Sequence, residues 1–117
     1  MRQMSTTGTR QVVTQDLEEN ISIRLVVNGT EQTIVTAGVE IFDPAGGAIT
    51  SGSATTISGS VATFQVTWSE STYAIEDGYI AKWNLEWSQD AVTYNKIIKS
   101  YFDVVRRRWE NQVTDTD

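Results

Sequence analysis

Three consecutive arginines, Arg106, Arg107 and Arg108, followed at once by Trp109, form the densest cluster of reactive or binding side chains in this chain. Guanidinium groups grip carboxylates or phosphates through paired hydrogen bonds, and Trp and Arg are frequent anchors of protein interfaces. A tryptophan within the otherwise polar stretch that ends Glu110 to Asp117 is costly to leave in water. We therefore read Arg106, Arg107, Arg108 and Trp109 as partner-binding residues. The plainer reading is a solvated strand end whose charges keep a sheet edge from pairing. Against DNA stands the balance of 9 basic and 15 acidic residues, a formal charge of −6, which one triplet does not overcome.

Asp16, Glu18, Glu19, Asp115 and Asp117 gather near the two ends, but none alternates around a glycine as a calcium loop requires. They read as solvated charge. A glycosidase pair needs two carboxylates across a cleft, for which a small sandwich has little room. The chain has no cysteine and no histidine, so disulfides, thiol nucleophiles, zinc fingers and Ser-His-Asp triads are excluded. No glycine spacing suits a phosphate cradle. Asn20-Ile21-Ser22 and Asn28-Gly29-Thr30 match the glycosylation sequon, as expected by chance in a chain rich in Ser and Thr. No catalytic residue, metal or cofactor is assigned, and the expectation is a protein without enzymatic activity.

The elements that must position these residues are strands. Twelve Val, ten Ile and 16 Thr stand against three Leu, a bias toward side chains that suit a pleated surface. In 117 residues there is room for one core. Ile21, Ile23, Leu25 and Val27 share one phase, and Asn28-Gly29 reads as a turn. Val35, Ala37, Val39 and Ile41 form the next stripe, ended by Asp43-Pro44-Ala45-Gly46-Gly47. Ala48 to Ile57 reads as short edge strands broken at Gly52, and Ala62, Phe64, Val66 and Trp68 turn inward. Glu70 to Asp77 crosses between layers, with a short helical turn expected.

The clearest strand is Gly78 to Ser88, with Tyr79, Ala81, Trp83, Leu85 and Trp87 on one face. After a turn at Gln89-Asp90, Val92 to Val105 carries Val92, Tyr94, Ile98, Phe102 and Val104 in phase, with a bulge expected beside Lys96. About seven strands with turns every eight to twelve residues predict an all-β, immunoglobulin-like two-sheet sandwich. Tyr79, at the entrance to its strand, reads as a tyrosine corner, and Trp83 as a core residue; both are structural assignments. The expected organisation is an N-terminal arm at 1–20, the sandwich at 21–108 and a C-terminal tail at 109–117. Met1 to Gln15 is polar throughout, without the pattern of a signal peptide, and is expected to be flexible until something holds it. The uncharged stretch Thr50 to Ser69 is too rich in Ser, Thr and Gly to span a membrane.

Ile41-Phe42-Asp43-Pro44-Ala45-Gly46-Gly47, then Gly78-Tyr79-Ile80-Ala81-Lys82-Trp83, then Tyr101-Phe102-Asp103-Val104-Val105-Arg106-Arg107 follow one another in the chain. This order resembles the immunoglobulin-like neck, or head–tail connection, virion proteins of tailed bacteriophages. The likeness covers residues 21 to 108 and rests on turns and core positions, so it transfers no catalytic or binding residue. It implies a virion structural protein assembled in the host cytoplasm, forming a homo-oligomeric ring in the particle. Its implied partners are other virion proteins of the neck, portal or capsid, with no sequence-specific nucleic acid and no membrane. Two alternatives remain beside the neck role: a capsid decoration or baseplate module, and a carbohydrate- or surface-binding sandwich using Trp68, Trp83 or Trp87 as a stacking platform.

Overall fold

Apolar and polar residues alternate along the longer of ten strands, seen in a computed structural model that describes residues 11–106. They are β1 (Gln11–Thr14), β2 (Glu18–Arg24), β3 (Val26–Val27), β4 (Thr30–Glu31), β5 (Ile34–Phe42), β6 (Ala48–Ser53), β7 (Thr56–Ser58), β8 (Val61–Thr67), β9 (Glu76–Gln89) and β10 (Val92–Val105). Five form one sheet in the order β1-β10-β9-β5-β6, three form a second in the order β2-β8-β7, and β3 with β4 makes a small hairpin. All pairs are antiparallel except β1 with β10. The fold is an all-β two-layer sandwich, and its strand order is that of an immunoglobulin-like domain, with β2, β8 and β7 opposite β5, β9 and β10. The two expected sheets are present, and ten strands stand where about seven were expected, because β1 adds at an edge, β3 and β4 form a hairpin, and residues 48–58 divide into β6 and β7 where the chain changes layer.

The core lies between the layers. Ile21, Ile23 and Leu25 from one side meet Val39, Ile41, Ala81, Trp83 and Leu85 from the other, all buried. At one end an aromatic cluster joins the sheets: the Trp68 ring sits 4.9 Å from Tyr73, 5.1 Å from Phe102 and 6.4 Å from Phe64. Trp68 Nε1 donates to Glu19 O at 3.0 Å, so this buried indole keeps a partner.

Several expectations shift by a residue or a boundary. The sandwich begins well before residue 21: Gln11–Thr14 is a strand and Glu18–Asn20 already belongs to β2. Only residues 1–10 of the expected arm lie outside the described part. A short polar strand of this kind carries little periodicity, and it forms because β10 offers it a partner. In β5 the register slips between Ile34 and Thr36, so Ile34 is buried and Val35 is exposed. The bulge expected at Lys96 is absent; β10 pairs continuously from Val92 to Phe102 and slips only before Val104. Val92 and Tyr94, expected in the core phase, are exposed because that end of β10 extends beyond the layer that would cover it. The β9–β10 turn is Asp90-Ala91, one residue later than expected, both with positive φ. Ala54 and Thr55, not Gly52, divide β6 from β7, and Glu70 to Thr72 is a turn without a helix.

Candidate interaction surface

Because alternate residues face opposite sides of a strand, burying Tyr79, Ala81, Trp83, Leu85 and Trp87 turns Ile80, Lys82, Asn84 and Glu86 outward. Register then arranges the outer face of the five-stranded sheet in rows. Phe42, Ile80 and Tyr101 make an apolar row across β5, β9 and β10. Glu40, Lys82 and Lys99 make a charged row beside it, and Gly38, Asn84 and Ile97 the next. Tyr101 is 40 % exposed and Ile97 54 %, large apolar groups left in water on one surface.

Gly38 leaves the middle of this face without a side chain, and a shallow groove of about 480 Å³ opens there between Glu40, Ser51, Asn84 and Ile97. Farther along, Thr36 Oγ1 donates to Glu86 Oε1 at 2.8 Å, and Asn95 Nδ2 donates to Asn84 Oδ1. These bonds hold the polar side chains down against the sheet, giving a flat surface rather than a pocket. Among the described residues no three His, Cys, Asp or Glu side chains gather as a metal would need. A broad flat face of mixed rows is suited to docking against a protein surface.

The sequence-assigned partner residues are split by the limits of the structure. Arg106 is exposed at the end of β10, while Arg107, Arg108 and Trp109 lie outside the described residues. The two structural assignments sit in the core. The Tyr79 hydroxyl donates to Ala74 O at 2.7 Å, tying the entrance of β9 to the preceding crossing as a tyrosine corner does. Its ring stacks on Phe102 at 5.3 Å and 22°. Burial, then the nearby Glu76 and Asp43 carboxylates, raise the Tyr79 hydroxyl above its ordinary value of 10.0. Trp83 is fully buried and its Nε1 donates to Ser100 Oγ at 3.0 Å. Trp68, Trp83 and Trp87 are all buried, so they form no stacking platform for a sugar.

Sequence reasoning missed the outer-face rows. The available signal was an apolar residue in the wrong phase: Ile80 between Tyr79 and Ala81, and Ile97 beside Ile98. No protein-family model matches the chain, and no curated protein matches it.

Proposed function

We propose that this chain is a non-enzymatic virion structural protein, a neck or head–tail connection component of a tailed phage that assembles as a ring. The likeness of its turn and strand motifs to that family supports the setting. The observation that carries the reading furthest is the uncovered outer face of the five-stranded sheet, with Ile97 and Tyr101 in water beside a charged row. In a ring the neighbour covering that face is a second copy of this chain. A formal charge of −6 also suits a subunit that DNA must pass without sticking. Arg106, Arg107, Arg108 and Trp109 serve as a second contact, with the portal or capsid side of the junction.

The test is a pair of outward substitutions, Ile97→Glu and Tyr101→Glu, read by melting temperature and by incorporation into particles. Exposed sites of this kind change stability by about 0.5 kcal/mol or less. The expected result is near-normal stability with loss of incorporation; normal incorporation of both variants rejects the outer face as the contact. Locating the protein in purified particles by electron microscopy separates the neck from a decoration or baseplate position.

A further inference from the structure

The edge of β10 is the second unmatched feature, and it does not depend on the virion reading. β10 runs from Val92 to Val105, with β9 along one side for nearly its whole length. On the other side β1 pairs with Phe102 to Val105 alone, and among the described residues no strand lies beside Val92 to Tyr101. A long edge of this kind recruits another strand unless something covers it.

Two observations fix which backbone groups this edge offers. The two-residue turn at Asp90-Ala91 closes on the Gln89–Val92 pair, so even positions of β10 bond to β9. The Gln15 N–H donates to Val105 O at 2.9 Å, an odd position turned toward β1. Thr93, Asn95, Ile97, Lys99 and Tyr101 therefore direct their N–H and C=O groups out from the edge.

We infer that a second copy of this chain pairs here, β10 against β10, antiparallel about a two-fold axis at Asn95. Packing and charge select that register. An axis at Lys96 sets the two Lys96 side chains against each other, which is unfavourable. Any axis farther along β10 drives the neighbour's β9–β10 turn into Gln11, which lies opposite Phe102. The axis at Asn95 gives the longest pairing left: residues 92–98 of each copy face one another, and the turn ends opposite residues 99–100, just short of β1.

The side chains agree with it. On the outer face Ile97 meets Thr93 and Asn95 meets its own copy, while on the inner face Ile98 meets Val92 and Lys96 meets Tyr94. Val92, Tyr94 and Ile97 are exposed in the single chain, and all three gain a cross-strand neighbour. Opposite charges also meet, because Ala91 of one copy falls opposite Lys99 of the other and brings Asp90 beside that lysine. The two-fold axis repeats this contact at both ends of the ladder. Lys96 and Lys99, which would repel many strands at this edge, meet no like charge here.

The chain contains no cysteine, so a disulfide can report the register directly. Full chains carrying Asn95→Cys or Ile97→Cys, both exposed positions on one face, are oxidised at low protein concentration. Facing Asn95→Cys residues would have Cα atoms about 5.5 Å apart, within the range of a disulfide. Two Ile97→Cys residues would lie four positions apart along the ladder, about 13 Å, and out of range. The expected result is a cross-linked dimer from Asn95→Cys, little from Ile97→Cys, and a heterodimer when Ile97→Cys is mixed with Thr93→Cys. Equal yields from the two single variants, or none from Asn95→Cys, overturn the inference.

The unmodified chain is expected to sediment as a dimer at high concentration and to dissociate on dilution. A monomer at every concentration overturns the pairing and leaves Lys96 and Lys99 as the protection of the edge. Ile97→Pro removes one outward N–H and no bond of the β9 ladder, so it should give a monomer with a near-normal melting temperature. A dimer that survives this change is held by another surface and also rejects the edge pairing.

Discussion

The Gln11 side chain takes the place of a neighbouring strand for Ser22: its Nε2 donates to Ser22 O at 2.8 Å, and its Oε1 accepts from the Ser22 N–H at 2.9 Å. The same residue pairs through its backbone with β10. Glu19 adds to the seam, its Oε1 accepting from the Thr14 N–H at 2.7 Å. A four-residue strand thus joins both layers, one by its ladder and the other by side chains. Edge groups of β2 that would otherwise need water are satisfied within the fold.

Gln11→Ala is expected to remove both bonds to Ser22 and to cost about 1–3 kcal/mol, two ordinary bonds at a partly buried site. Gln11→Glu keeps the acceptor for the Ser22 N–H but sets a carboxylate oxygen against Ser22 O, and should cost at least as much as Gln11→Ala at neutral pH. Urea denaturation of the three proteins gives the order.

Tyr79→Phe removes the bond to Ala74 O while keeping the ring stacked on Phe102, and should cost about 0.5–1.5 kcal/mol at neutral pH. Both Tyr79 and Tyr73 hold their protons more tightly when folded, Tyr73 through burial alone. A group raised in the folded state contributes its full stability below its unfolded value of about 10 and loses it as pH climbs through the folded one. Stability should therefore fall above about pH 10, and fall less steeply in Tyr79→Phe. Melting temperature measured between neutral and strongly alkaline pH tests the sign.

Trp83→Ala should cost about 3–5 kcal/mol, the usual price of deleting a large buried side chain. Ser100→Ala is the sharper test, since it strands the buried Trp83 N–H without opening a large cavity. A loss of about 1–3 kcal/mol is expected. In a Trp83→Phe background the same serine change should cost clearly less. Equal losses in both backgrounds would show that the bond contributes nothing.

Ala91→Gly is expected to stabilise the protein. Asp90 and Ala91 form a two-residue turn with φ of 54° and 66°, a conformation that L-residues with a Cβ resist. The Ala side chain in that region costs about 1 kcal/mol, so glycine should raise the midpoint of denaturation by a corresponding amount. A drop in stability would mean that the loss of chain entropy on folding glycine outweighs the relief.

The strands and their inward faces were legible in the residues themselves, since alternation is local and β-branched side chains state the preference at each position. Ile21 to Leu25, Ala62 to Trp68 and Tyr79 to Trp87 face the core as their phase requires. The Asn28-Gly29 turn was equally readable, because both residues tolerate the positive φ they adopt. What sequence could not supply was decided by partners distant along the chain. β1 has almost no pattern and becomes a strand through pairing with β10, 91 positions away. Val35 leaves the core because β5 slips against β9, and Tyr94 stays in water because no opposing layer reaches it. The outer-face rows have the same origin: Phe42, Ile80 and Tyr101 become neighbours only when three strands adopt one register. Phase along a strand is set by neighbouring residues, whereas register, layer coverage and open edges arise from contacts that exist only after the sheets have formed.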